Sequence, residues 1–165
     1  MDIIRLLQNE LTQEAATTRK FLALAPFDKP DFAPHEKSMK MMALVTHIAD
    51  LISWPKLGVE TDKLDFATTP YNPTTVENND QLIALFDKGL AESLASLAEV
   101  EEAFLEKPWI LRTGDQIHAE MTKYELIRVS LSQIIHHRAQ LGVYFRLLGI
   151  PVPGSYGPSA DEMNF

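Results

Sequence analysis

The chain of 165 residues contains no cysteine. That excludes disulfides, thiolate metal ligands and a cysteine nucleophile. Clustered Lys and Arg are lacking too: 15 basic residues stand against 23 acidic ones, a formal charge of −8. Such a balance disfavours nucleic acid as a partner, because phosphate contacts draw on grouped cations; it serves solubility instead. No apolar run is long enough to span a bilayer. The start Met1-Asp2-Ile3-Ile4-Arg5 brings charge at once, unlike a secretory leader. No membrane partner and a cytoplasmic address are therefore expected. A Gly-rich phosphate loop, a Gly-x-Ser-x-Gly elbow and a Glu-x-x-His di-iron pattern are also absent.

What the chain does have is helical periodicity in an ordinary globular composition, 45% hydrophobic and 23% charged. Ile4, Leu7, Leu11, Ala15, Thr18, Phe21 and Leu22 recur at helical spacing, and Pro26 closes the run. A second helix is expected from Ser38, as cap, to about Pro55, with Met41, Leu44, Val45, Ile48, Leu51 and Ile52 on one side. Asn79 can cap a third, whose stripe runs from Leu82 to Phe104; the fourth spans about Met121 to Leu148 and stops at Gly149 and Pro151. The expectation is an all-α four-helix bundle, one domain over residues 1–165, with a long connection from Lys56 to Asn78 between helices two and three. Trp109 to Asp115 can form a short extended turn, and no strand pattern elsewhere supports a sheet.

The fourth helix carries an unusual polar arc. At about 100° per residue, Gln133, His136, His137, Gln140 and Tyr144 share one face. Ile127, Leu131, Ile134, Leu141 and Phe145 fill the neighbouring face, so core packing does not account for the first. Residues four apart on a helix lie one above the other, the geometry by which His-x-x-x-His pairs converge on an ion. Here that pair is Gln133 and His137, and His47, on the core side of helix two, is the candidate third ligand. Three protein ligands with open positions would be a catalytic type of metal site.

A plainer reading fits the same residues. His47 can be a hydrogen-bonded core residue, His136 and His137 one buried and one at the solvent edge, and Gln133 and Gln140 water-facing. His35 and His118 fall in expected loops. Glu99, Glu101, Glu102 and Glu106 read as a solvated face, while Asp161 and Glu162 are placed to clamp Arg138 or Arg146.

The segments His136-His137-Arg138-Ala139-Gln140-Leu141 and Tyr144-Phe145-Arg146-Leu147-Leu148 resemble the His-His-Arg-Gly-Gln-Leu region of the DinB-like (DinB/YfiT-like) proteins. Val152-Pro153, Tyr156-Gly157-Pro158-Ser159 and Asp161-Glu162 resemble the closing segment of one subgroup, and Lys37-Ser38-Met39 with Thr46-His47-Ile48-Ala49 fit its second helix. The resemblance implies a four-helix bundle, often homodimeric, with a divalent metal, zinc or nickel, on three histidines. Those ligands map onto His47, position 133 and His137. Position 133 is Gln, and Ala139 replaces the usual glycine. A neutral amide oxygen suits zinc or nickel poorly, so three outcomes stay open: weakened metal binding, recruitment of His136, or a pocket without metal. Some relatives are metal-dependent thiol transferases or isomerases that use a low-molecular-weight thiol. The resemblance thus implies either such an enzyme, with His136, Gln140 and Tyr144 lining the pocket, or a non-catalytic, stress-related small-molecule binder whose metal site is degenerate. No residue is singled out as catalytic.

Overall fold

The apolar repeat that starts at Ile4 becomes α1 (Ile3–Leu22), begun by Asp2, whose carboxylate accepts the Arg5 N–H at 2.9 Å. The computed structural model describes residues 2–70, 72 and 74–163. The expected second helix is two helices. In α2 (Met41–Leu51) Ser38 is not the cap: Lys40 precedes the helix without a capping bond, and the Met41 N–H finds the Phe32 carbonyl at 2.8 Å. Pro55 does not end α2. It stands in the first turn of α3 (Trp54–Glu60), where an absent N–H has no partner to lose.

The helix α4 (Asn79–Ala98) is capped by Asn78, which accepts the Gln81 N–H at 2.9 Å. Asn79 instead donates its side-chain amide to the Leu22 and Ala23 carbonyls, both at 3.2 Å, tying this helix to the end of α1. Phe104 leaves the α4 stripe for a 3-10 turn, Glu102–Glu106. The last helix, α5 (Lys123–Leu148), opens on a capping box: Thr122 caps Glu125 and the Glu125 carboxylate returns to the Thr122 N–H at 2.7 Å. It closes on Gly149 at φ 70°, a left-handed position that favours glycine.

The all-α expectation is corrected by a three-stranded sheet in the order β1 (Lys63–Asp65), β2 (Pro108–Thr113), β3 (Gln116–Thr122). β1, drawn from the connection after α3, pairs parallel with β2, and β2 pairs antiparallel with β3 across Gly114-Asp115. The stretch expected as an extended turn is thus most of a hairpin. It is pinned inward by Trp109, which is fully buried and donates its indole N–H to the Thr61 hydroxyl at 3.1 Å. His118 accordingly lies in a strand rather than a loop, beside the Thr113 hydroxyl at 2.8 Å.

Packing keeps the bundle plan. α1 packs on α4 and α5, while α2 and α3 both pack on α4 and α5, jointly filling the place of the expected second helix. Leu11, Leu22, Leu44, Ile48, Phe86, Leu131 and Phe145 are buried in the shared core. No helix among the described residues is long and apolar enough to cross a membrane.

Candidate functional site

The face that joins α2 to α5 brings His47 and His137 together, with ring centroids 4.8 Å apart and planes at 74°. His47 reaches it because Leu44, Val45 and Ile48 are buried on their own side of α2, which leaves His47 half-buried at the seam. His137 is placed by the same logic on α5, between the buried Ile134 and Leu141. Gln133, one turn earlier and partly buried, lies near enough to the His47 ring to act on its pKa. The three residues expected as ligands therefore occupy one surface.

Burial pushes the His47 imidazole below its ordinary pKa, and the adjacent His137 acts in the same direction; Gln133 and Asp50 act against it. A neutral imidazole is the form that can coordinate an ion. The other ring is oriented as well: His137 Nδ1 sits 2.8 Å from Gln140 Oε1. An amide oxygen can only accept, so Nδ1 carries the proton and Nε2 keeps its lone pair. That arrangement is the one by which an outer partner aims a ligating histidine. Two imidazoles and one amide can hold a divalent ion, in a weaker set than three imidazoles. Among the described residues, no group of three or more His, Asp or Glu side chains stands where an ion could be held.

The three residues expected to line a pocket separate. Gln140 and Tyr144 face a groove of about 470 Å³ beside His137, whose opposite wall is Lys37, Ser38 and Met39. Tyr144 is buried and donates its hydroxyl to the Met39 carbonyl at 2.9 Å, with its ring edge-on to Phe32. His136 is exposed and outside this lining, its ring 5.0 Å from that of His137.

Asp50 escaped the reading of the sequence, and Lys37-Ser38-Met39, expected at the start of the second helix, instead precede α2 and wall the groove. Asp50 accepts the Thr74 hydroxyl at 2.9 Å, linking the connection before α4 to the site. Burial raises its carboxyl pKa; the Thr74 bond and His47 oppose that rise. Its place three residues after His47, on the same side of α2, is the signal that could have found it.

Arg138 belongs to a separate construction. Its side chain is 2% exposed, and its guanidinium donates to Glu14 Oε2 at 2.7 Å, Thr18 Oγ1 at 3.0 Å and the Tyr156 hydroxyl at 3.0 Å. Neither Asp161 nor Glu162 is its clamp: Asp161 takes Arg146 at 2.6 Å and Glu162 takes Lys20 at 3.1 Å. These bonds hold the tail across α1 and α5, beside an apolar groove of about 530 Å³ formed by Phe21, Gly142, Val143, Val152 and Pro153 with the tail.

A model of the DinB family matches residues 4–164. The fold is similar to that of a DinB-like protein from Bacillus subtilis, with a TM-score of 0.68 at 19% identity over 96% of this chain and 99% of that one. It is equally similar to a DinB-like protein from Bacillus cereus, with a TM-score of 0.68 at 18% identity over 90% of this chain and 94% of that one. No curated protein matches the sequence.

Proposed function

The chain belongs to the DinB family, and from that premise we propose a small-molecule pocket that holds a divalent metal weakly on His47, Gln133 and His137. The observation that carries this reading is the meeting of the two rings at 4.8 Å, with Gln133 against one and Gln140 orienting the other. An ion bound there would act as a Lewis acid, lowering the pKa of a bound low-molecular-weight thiol or water so that it becomes a nucleophile. The protein's own part is positional. His47 is kept neutral by burial, Gln140 fixes the tautomer of His137, and Tyr144 anchors the facing wall through Met39. Transfer of a thiol to an electrophile is the reaction class this arrangement supports.

Metal analysis of purified protein after dialysis against Zn²⁺ or Ni²⁺ tests the reading. Metal content that falls on His47→Ala and on His137→Ala supports it; equal loading of all three proteins would sink it. Thiol consumption with an electrophile, compared against His137→Ala, tests the transferase part.

A second reading is favoured by Gln133 itself: a binder of small molecules without catalysis. Stabilisation by a small molecule together with none by Zn²⁺ or Ni²⁺ in a thermal-shift screen would select it, since only ligands of the native state raise its stability. Either reading carries a homodimer. The exposed Leu147 on α5 is apolar surface that such a contact would cover, and light scattering that gives a concentration-independent monomer mass would overturn it.

A further inference from the structure

The groove beside His137 is one-sided in charge. The chain has 23 acidic residues against 15 basic ones, yet the groove lining includes Lys37 and no carboxylate. Lys40, three residues on, is engaged by Asp31 at 2.7 Å; Lys37 has no ion-pair partner among the described residues. Beside it Ser38 and Gln140 offer donors, while His137 keeps an unprotonated Nε2. Ser38 offers a hydroxyl. Gln140 has committed its oxygen to His137 Nδ1, which leaves its NH₂ free to donate. The Tyr144 hydroxyl is spent on the Met39 carbonyl and adds nothing to the set. Met39 and Val143 supply apolar surface between these groups.

The wall is fixed before any ligand arrives. The Lys37 N–H donates to His35 Nδ1 at 3.1 Å, the Ser38 N–H to the His35 carbonyl at 2.9 Å, and Tyr144 holds Met39 from α5. A pre-formed wall lowers the ordering cost of binding. One ammonium, a hydroxyl and an amide match a single negative charge with two acceptor oxygens; a phosphate dianion calls for more than one cation.

We infer that this groove binds a small organic monocarboxylate, its carboxylate on Lys37 and its hydrocarbon portion against Met39 and Val143. The inference rests on the reading of this face as a small-molecule pocket and names the class of compound it takes. The metal is not needed for the contact with Lys37.

The test is an NMR titration of the Met39 methyl and His137 ring signals with butyrate, with its neutral analogue butyramide and with inorganic phosphate, at constant ionic strength. It is run on EDTA-treated and on Zn²⁺-loaded protein. The expected result is saturable shifts with butyrate and none with butyramide. Lys37→Gln is expected to weaken butyrate at least about fivefold, and Lys37→Arg to retain it, since a charge-assisted hydrogen bond is lost only in the first. Equal response to butyramide, stronger binding of phosphate, or indifference to Lys37→Gln overturns the inference. Butyrate binding that requires Zn²⁺ and ignores Lys37→Gln puts the carboxylate on the ion, which overturns the inference and leaves the metal reading standing. Lys37-dependent binding to a protein that takes up no Zn²⁺ does the reverse.

Discussion

His47 and His137 meet edge to face across the α2–α5 seam, with centroids 4.8 Å apart, and the nearby Asp50 carboxylate favours a charged His47 less than burial disfavours it. Two imidazolium ions this close would repel one another, and burial already disfavours the charged form of His47. The seam thus favours the neutral form of His47, with a lone pair to share.

What the pair lacks is a strong third donor. Replacing Gln133 with His puts an imidazole one turn before His137 and against His47. Gln133→His is expected to bind Zn²⁺ at least about tenfold more tightly than the native protein, because nitrogen replaces a neutral amide oxygen. Competition with a chromophoric chelator measures this. An unchanged affinity would mean that ions do not bind on this face.

Gln140 is exposed and, in its bond with His137, orients rather than packs. Gln140→Leu should release the His137 tautomer, visible in the ring ¹⁵N shifts, and weaken metal binding on the order of 10–100-fold. The melting temperature should hardly move. A loss of metal without any change in the ring tautomer would show that Gln140 acts in some other way.

The buried Arg138–Glu14 pair makes the opposite prediction, large for stability and small for the site. Glu14→Ala leaves a 2% exposed guanidinium without its carboxylate, and stranding a buried charge costs about 3–5 kcal/mol. Tyr156→Phe removes one hydroxyl from the same network and should cost about 1 kcal/mol. Urea denaturation checks both, and similar values for the two would contradict a network centred on the charge pair.

How legible each feature was depends on the range over which its cause acts. The end of α5 was readable because Gly149 is a local signal: its φ of 70° needs glycine whatever surrounds it. Pro55 misled because proline serves equally after a helix and inside its first turn, and only the packing of α3 decides which. The hairpin gave little warning: β3 is exposed along most of its length, so it carries no alternation, and its stability comes from Trp109 and a partner strand more than forty residues earlier. In the site, the spacing of Gln133, His137 and Gln140 was local and visible. The choice of Glu14 as the partner of Arg138 was not, because 124 residues separate them.

The sheet supplies a pH dependence. Hydrogen bonds from the Gly114 and Ala67 N–H groups, each 3.0 Å from Asp65 Oδ1, hold that carboxyl below its ordinary pKa, with Arg112 adding to the effect. Folding lowers the proton affinity, so this contribution is present above the unfolded value near 3.8 and is lost as pH falls through the lower folded value. Asp65→Asn should be less stable than the native protein near neutrality, and the gap should close as the solution is acidified below about pH 4. Denaturation midpoints across that range are the measurement, and a gap that widens on acidification would contradict the assignment.

Two helical glycines separate propensity from packing. In a helix interior, Gly→Ala is worth about 1 kcal/mol in favour of the variant. At Gly142 in α5, an added Cβ would meet Phe21 and Val152 at 3.5 Å, ordinary contact distance, so Gly142→Ala should raise stability by roughly 0.5–1 kcal/mol. At Gly89 in α4 the same atom would lie 2.7 Å from the Cγ2 of Ile52, which is fully buried and stiff about its first torsion. Relieving that overlap moves α4 away from the end of α2, and overpacking of this kind costs about 1–3 kcal/mol. Set against the gain in propensity, the cost leaves Gly89→Ala destabilising by up to about 2 kcal/mol. Opposite signs for one chemical change on two helices, read from paired urea titrations, are the expected result. Stabilisation at both positions would mean that Ile52 yields and that the α2–α4 contact is loose enough to take a methyl group.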